Sequence, residues 1–160
     1  MEGESPLVRG PVDLQAARRF LFLFSDTGGG HRASSQAVKD EMHRLYGAEV
    51  SVEMVDVFVA LNRWPFSKLP DWYPALVKLK GIPWGIWFHL TDGLKRTKIL
   101  SKLLWPYVKT SFCDVLRQHP ADVIISFHPV PNYALMLALQ ALGWDTPVVI
   151  VAVDLVTAHA

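Results

Sequence analysis

Residues 20–35 read FLFLFSDTGGGHRASS, and this stretch settles the class of fold. Residues 20–24 form a continuous apolar run, whereas a strand with one face in water would alternate apolar and polar side chains. The run therefore predicts a strand buried on both faces, as in a parallel sheet. The three glycines at 28–30 allow a tight turn, and helical spacing begins at His31.

Strand and helix patterns continue to alternate along the rest of the chain. Residues 31–46 predict a helix with one apolar stripe, formed by Ala33, Ala37, Val38, Met42 and Leu45. Residues 50–57, 121–126 and 148–153 predict three further strands, and residues 97–119 and 131–142 predict helices. Pro106 is expected to kink or restart the first of these. The pattern predicts an α/β fold, a Rossmann-like parallel sheet flanked by helices.

Composition excludes several classes of protein. The chain has 160 residues, 51% of them hydrophobic and 19% charged, which suits a domain with a real core rather than a disordered tail. The single cysteine excludes a disulfide framework. We find no apolar run of about 18 residues, so the sequence predicts no membrane-spanning helix.

Positive charge and tryptophan are concentrated in residues 62–109. This block has nine bases and two acids, a net charge of +7, whereas the rest of the chain has seven bases and 13 acids, a net charge of −6. Five of the six tryptophans lie there too: Trp64, Trp72, Trp84, Trp87 and Trp105. Among its bases, Lys95, Arg96 and Lys98 form a cluster.

Three interpretations of this block stay open. Tryptophan and lysine together favour a surface that lies on an anionic membrane, with Gly81 to Leu90 as an insertable loop. The block could instead be a helical insertion whose tryptophans fill a core. Nucleic acid is the third possible partner, but the block matches no nucleic-acid-binding motif. We favour the membrane.

The glycine loop at 28–30 predicts a ligand site. Gly28, Gly29 and Gly30 let the backbone approach a ligand closely, and the helix start that follows favours an anion. No Gly-Lys-Ser/Thr follows, so the loop is not a Walker A motif, and the glycine spacing does not fit a dinucleotide fingerprint either. His31 is at the mouth of the helix, where it could act as a general base or merely as an exposed residue at the helix end.

Polar residues follow each of three predicted strands, so the carboxyl edge of the sheet should form one polar rim. Asp26 and Thr27 follow the first strand, His128 the third, and Asp154 and His159 the last. His128 could orient a substrate or could be a structural histidine, and Asp154 could bind a hydroxyl or cap a turn. The histidines lack metal-ligand spacing, so we expect no metal.

Four segments together resemble monogalactosyldiacylglycerol synthases and the related bacterial diacylglycerol glucosyltransferases. The most specific is SDTGGGHRAS at 25–34, after an apolar strand. WPFSKLP at 64–70, PADVIIS at 120–126 with His128-Pro129, and VAVDLVT at 151–157 follow in the order this family shows. The resemblance runs from about residue 20 to residue 159.

The resemblance implies a GT-B glycosyltransferase with two Rossmann-like domains. Its amino-terminal domain would bind diacylglycerol at a membrane, and its carboxyl-terminal domain would bind a UDP-hexose donor. His31 would be the base that deprotonates diacylglycerol, and the loop glycines would lie near the donor phosphates. Transfer would invert the anomeric centre and use no resident cofactor.

For this chain the resemblance predicts a flexible leader at 1–19 and an incomplete acceptor domain at 20–160, with a membrane-contacting segment at 62–109. The donor domain is expected to be absent, and the chain alone inactive. We expect a peripheral membrane protein, on the cytoplasmic face in a bacterium or on a plastid envelope. The alternatives are a non-catalytic lipid- or membrane-binding module, or a GT-B enzyme with another acceptor such as a polyprenyl-linked precursor.

Overall fold

The computed structural model describes residues 17–27, 29–78 and 94–153. The expected leader lies outside them except for its last three residues. The strands are β1 Arg18–Phe24, β2 Val50–Asp56, β3 Val123–Ser126 and β4 Val148–Ile150. The helices are α1 Gly30–Tyr46, α2 Val57–Leu61, α3 Leu69–Lys78, α4 Leu94–Gln118 and α5 Asn132–Leu142. Two 3-10 turns, Gly47–Glu49 and Phe66–Lys68, complete the described elements.

The four strands form one parallel sheet in the order β2-β1-β3-β4. β1 therefore has a partner on each side: Phe22 is opposite Met54 of β2 and Ile125 of β3. This confirms the predicted Rossmann-like α/β fold. Because all the strands run the same way, their carboxyl ends meet at one edge, where open α/β sheets bind ligands.

Each face of the sheet is covered by its own set of helices. Leu21 and Leu23 of β1 belong to a core that includes residues of α2, α4 and α5. Phe22 and Phe24 belong to a second cluster with Val52 and Phe127, against which Met42 of α1 packs. All four of these β1 side chains are buried. The apolar run of β1 is continuous because both faces of the strand are covered.

Most of the residues predicted to form the apolar face of α1 do not pack against the sheet. Ala33, Ala37, Val38 and Leu45 are exposed, so the predicted apolar stripe was wrong except for Met42. The buried residues of α1 are His31 and Ser35. The helix therefore meets the protein interior with a polar face near its amino end, where it borders the glycine loop.

Two local predictions also needed correction. The structure ends β2 at Asp56 and begins α2 at Val57, whereas the sequence pattern placed Val57 in the strand. Helix α4 runs through Pro106 as one element, so Pro106 does not restart the helix. Val57, Phe58 and Leu61 are buried, which shows that tertiary packing stabilises this five-residue helix.

At the amino-terminal edge of the sheet, Asp122 joins the start of β3 to β1. Its Oδ2 accepts the backbone N–H of Arg19 at 2.8 Å, and its Oδ1 accepts the Arg19 guanidinium at 3.3 Å. The backbone N–H, with a smaller contribution from the guanidinium, holds the pKa of the Asp122 carboxyl below its ordinary value. The pKa of Asp122 is therefore lower in the folded chain than in the unfolded chain. Above the unfolded-state pKa the ionised carboxylate stabilises the fold, and this stabilisation is lost as the pH falls through the folded-state pKa.

We expect Asp122→Asn to be less stable than the original chain at pH 7, by at most about 1 kcal/mol because water screens the half-exposed carboxylate. The difference should shrink below about pH 4, where carboxylates begin to protonate. Urea unfolding at pH 7 and pH 3 measures both values. A difference that is the same at the two pH values would contradict this account.

Candidate active site

The loop that joins β1 to α1 lies at the carboxyl edge of the sheet. Gly29 has φ +78°, a left-handed conformation that favours glycine, and its carbonyl accepts the N–H of Ala33 at 3.0 Å. A Cβ added at Gly29 or Gly30 would meet nothing within 4 Å, so the loop faces open space. Gly28 lies outside the described residues. The backbone at Gly29 thus favours glycine, and the space beside Gly29 and Gly30 leaves room for a ligand.

His31 is buried at 7% exposure and is held by a backbone carbonyl. Its Nδ1 lies 2.7 Å from the carbonyl oxygen of Phe127, which follows β3. A carbonyl oxygen can only accept, so we assign the proton of the neutral ring to Nδ1. That assignment gives Nε2 the lone pair, as a general base requires. The alternative of an exposed residue at the helix end was wrong.

His128 is also buried, at 9% exposure, and packs directly against His31. The two ring centroids are 4.5 Å apart, and the ring of Phe58 meets His128 edge-on at 5.4 Å. The Nδ1 of His128 accepts the backbone N–H of Val130 at 3.3 Å, so its neutral ring carries the proton on Nε2. The structure therefore brings together two histidines, from α1 and from the segment after β3, to which we assign opposite tautomers.

The other predicted residues of the first strand end form a charged rim. Asp26 accepts Arg32 Nε at 3.0 Å, and the Arg32 guanidinium lies 5.0 Å from the centre of the Phe24 ring. Thr27 is partly exposed beside them. Asp154 and His159 lie outside the described residues, so their place in the predicted rim stays a prediction.

Asp56 belongs to this edge, although the sequence reasoning missed it. Its carboxylate accepts the backbone N–H of Asp26 at 2.9 Å. Asp56 is the last residue of β2, but the sequence pattern placed it inside a strand that ended at Val57, so the pattern gave no signal that it lies at the carboxyl edge.

An exposed apolar surface is formed by Trp64, which precedes the 3-10 turn Phe66–Lys68, and by side chains of α3 and α4; we call it the Trp64 patch. Trp64 is 69% exposed and Leu103 is 74% exposed. The other members, also exposed, are Trp72, Ile99 and Tyr107. Trp64 and Trp72 meet edge-on with ring centroids 6.5 Å apart, and the Tyr107 hydroxyl donates to the Trp64 carbonyl at 2.8 Å. Because Ile99, Leu103 and Tyr107 are spaced by four residues, they share one face of α4.

The remaining residues predicted to contact a membrane lie in different settings. Trp105 is partly buried and packs against the main core, so less of its indole is left for a membrane. Trp84 and Trp87 lie outside the described residues. Helix α4 contains Lys95, Arg96 and Lys98, whose side chains are also outside the description. Lys68 and Lys102 are exposed, and Arg63 lies 5.5 Å from the centre of the Tyr107 ring.

The described residues contain neither a membrane-spanning helix nor a group of metal ligands. None of the helices there is both long enough and apolar enough to cross a membrane. Within the same ranges, no three His, Cys, Asp or Glu side chains are grouped as metal ligands would be.

The fold and the paired histidines at its carboxyl edge define an α/β domain of Rossmann-like class, consistent with one half of a GT-B glycosyltransferase. The family described as "Monogalactosyldiacylglycerol (MGDG) synthase" matches residues 31–160. The chain belongs to this family, which confirms the resemblance found in the sequence.

Curated plant proteins show the same relationship over nearly the whole chain. "Monogalactosyldiacylglycerol synthase 1, chloroplastic" of Arabidopsis thaliana is 30% identical over 159 residues, 98% of this chain and 30% of that protein. "Monogalactosyldiacylglycerol synthase, chloroplastic" of Spinacia oleracea is 31% identical over 92% of this chain and 28% of its own length. "Probable monogalactosyldiacylglycerol synthase 3, chloroplastic" of Oryza sativa subsp. japonica is 34% identical over 99% of this chain and 31% of its own length. The chain thus spans about a third of the length of these relatives.

Proposed function

We propose that the protein containing this chain transfers a hexose from a UDP-sugar to 1,2-diacylglycerol, and that this chain supplies the acceptor side of the active site. The observation that carries the proposal is the geometry of His31, whose Nδ1–H is committed to the Phe127 carbonyl. The family membership of the chain supports the acceptor and the product class.

In the proposed reaction, His31 Nε2 takes the proton of the diacylglycerol hydroxyl. The hydroxyl oxygen attacks the anomeric carbon, and the bond from that carbon to UDP breaks with its electron pair leaving on the diphosphate. A single displacement of this kind inverts the anomeric centre. The protonated ring would still donate from Nδ1 to Phe127, and a carbonyl oxygen favours a donor that carries positive charge.

The start of α1 suits the leaving diphosphate. Its first turn contains no acidic residue, and the amino end of this 17-residue helix carries the positive end of the helix dipole. We place Gly28, Gly29 and Gly30 near the donor phosphates for this reason. Backbone amides and basic groups can stabilise a leaving diphosphate, so the proposal includes no resident cofactor and no metal.

The Trp64 patch supplies the contact with the membrane. Tryptophan and tyrosine favour the headgroup zone, and exposed apolar side chains of this extent mark interaction surfaces. An exposed base such as Lys102 adds about 1 kcal/mol of attraction to an anionic leaflet, whereas Lys68 is paired with Asp71 at 3.5 Å. Diacylglycerol resides in the bilayer, so a peripheral position on a bacterial cytoplasmic membrane or a plastid envelope would bring acceptor and base together.

The full-length protein tests this function directly. Incubated with diacylglycerol vesicles and either UDP-galactose or UDP-glucose, it should form monohexosyldiacylglycerol of inverted configuration, detected by mass spectrometry and NMR. The 160-residue chain alone should bind vesicles and form no product. Vesicle binding by the full-length protein without transfer from either donor would instead indicate a non-catalytic lipid-binding module, and transfer only to a polyprenyl acceptor would reassign the substrate.

A further inference from the structure

The carboxylate of Asp56 accepts three backbone N–H groups. Its Oδ2 accepts from Asp26 at 2.9 Å, and its Oδ1 accepts from Phe58 at 3.0 Å and Val59 at 3.2 Å. One oxygen therefore holds the glycine loop and the other caps α2. An ionised carboxylate has only acceptor sites, so it can serve both at once.

The two segments that Asp56 joins, the loop before α1 and helix α2, are each next to one of the two histidines of the site. On the loop side, Asp26 pairs with Arg32, the residue that follows His31. On the helix side, Phe58 packs edge-on against His128, and His128 packs against His31. The contacts of Asp56 on which the inference rests are with backbone N–H groups. Asp56 thereby connects the main-chain supports of both histidines.

Both supports need such a connection. The loop contains consecutive glycines, which cost conformational entropy to order. Helix α2 has five residues, too few to be stable without a cap and tertiary contacts. A displacement of about 1 Å at a reacting group can cost on the order of a hundredfold in rate, so holding both segments matters to the base.

We propose that Asp56 is a positioning residue, which sets the geometry of the His31–His128 pair by joining the glycine loop to α2. This inference rests on the proposed function only for its kinetic consequence. Its structural consequence, the holding of the Asp26 amide, can be measured without any catalysis.

Asp56→Asn is the informative variant. The amide keeps one acceptor oxygen, which can still cap α2 because asparagine caps helices about as well as aspartate. The NH₂ group that replaces the other oxygen is a donor and faces the donating N–H of Asp26. In either amide orientation, one of the two connections is lost. Asp122→Asn is the matched control, because Asp122 also accepts a backbone N–H but lies at the opposite edge of the sheet.

Amide hydrogen exchange of the 160-residue chain should show about five- to tenfold faster exchange at Asp26 or at Phe58 and Val59 in Asp56→Asn, the change expected for one lost hydrogen bond. Asp122→Asn should leave those amides unchanged where they exchange by local opening, because its loss of at most about 1 kcal/mol falls on global unfolding. In the full-length enzyme, kcat should fall about tenfold or more in Asp56→Asn, with KM for diacylglycerol within twofold. Asp122→Asn should retain the original kcat.

Unchanged exchange at all three amides, or faster exchange with unchanged kcat, would overturn the positioning role. If the full-length protein transfers no sugar at all, the proposed function fails, while the exchange result still decides whether Asp56 holds the loop. Should Asp56→Asn lose its helical circular dichroism, Asp56→Glu keeps both oxygens on a longer side chain. Asp56→Glu should then restore the fold. Its exchange rate at the Asp26 amide should lie between the rate in the original chain and the rate of an amide with no hydrogen bond. If Asp56→Glu had the same exchange rates and the same kcat as the original chain, the length of the Asp56 side chain would not matter and the positioning role would be contradicted.

Discussion

Replacing His31 by asparagine is expected to lower kcat for hexose transfer by about 100- to 10,000-fold, the range that a positioned general base contributes. Asparagine offers a side-chain N–H near the place of Nδ1, so the bond to the Phe127 carbonyl can persist. What the variant lacks is the Nε2 lone pair. The loss should therefore fall on kcat, with little change in vesicle binding.

Steady-state kinetics of the full-length enzyme, with diacylglycerol in vesicles of fixed composition, measures this effect. His43→Asn is the matched control, because His43 lies on the same helix near its far end. It should keep kcat within about twofold. If His31→Asn retained kcat within about threefold, the base would have to be another group, and the proposed role of Nε2 would be abandoned.

The second large effect is expected at the membrane. Replacing both Trp64 and Leu103 by glutamine should weaken vesicle binding by about 2 kcal/mol, roughly thirtyfold, given the apolar area that each side chain would bury. Both side chains are largely exposed, so the fold should not lose core packing. Glutamine is also a good helix former, which spares α4 at position 103.

Co-sedimentation with anionic and neutral vesicles, at low and high salt, gives the binding constants. Leu45→Gln with Tyr46→Gln is the control pair, since both are exposed on α1, which covers the opposite face of the sheet. That pair should bind as the original chain does, and binding to anionic vesicles should weaken with salt. Equal losses from the two pairs would show that general surface hydrophobicity, rather than the Trp64 patch, governs binding.

Local signals in the sequence were sufficient for the α/β class of the fold. The uninterrupted apolar run at 20–24 marked a strand buried on both faces, and β1 lies between two parallel neighbours. The glycines marked the turn, and Gly29 adopts the conformation that glycine permits. These predictions are correct because an apolar run of this kind favours a buried strand, and the backbone freedom of glycine depends on the residue itself.

Which surfaces meet could not be derived from the sequence alone. Helical spacing predicted an apolar contact face for α1, yet His31 and Ser35 are its buried residues. The carbonyl of Phe127 and the ring of His128 contact His31, and the Ser35 hydroxyl donates to the Arg32 carbonyl at 2.9 Å. Tryptophan content alone did not separate exposed Trp64 from Trp105, which packs on the core. Those differences come from partners distant in sequence.

The sequence by itself therefore determined the order of the strands along the chain and the glycine turn, since these depend on neighbouring residues, whereas the role of His31 as base stays a proposal. Only the tertiary structure decided that the rings of His31 and His128 pack together and that Asp56 joins the loop to α2. His31 and Phe127 are 96 residues apart, and Asp26 and Asp56 are 30 apart. The parallel sheet aligns the ends of β1, β2 and β3, and that alignment brings these side chains within hydrogen-bond reach.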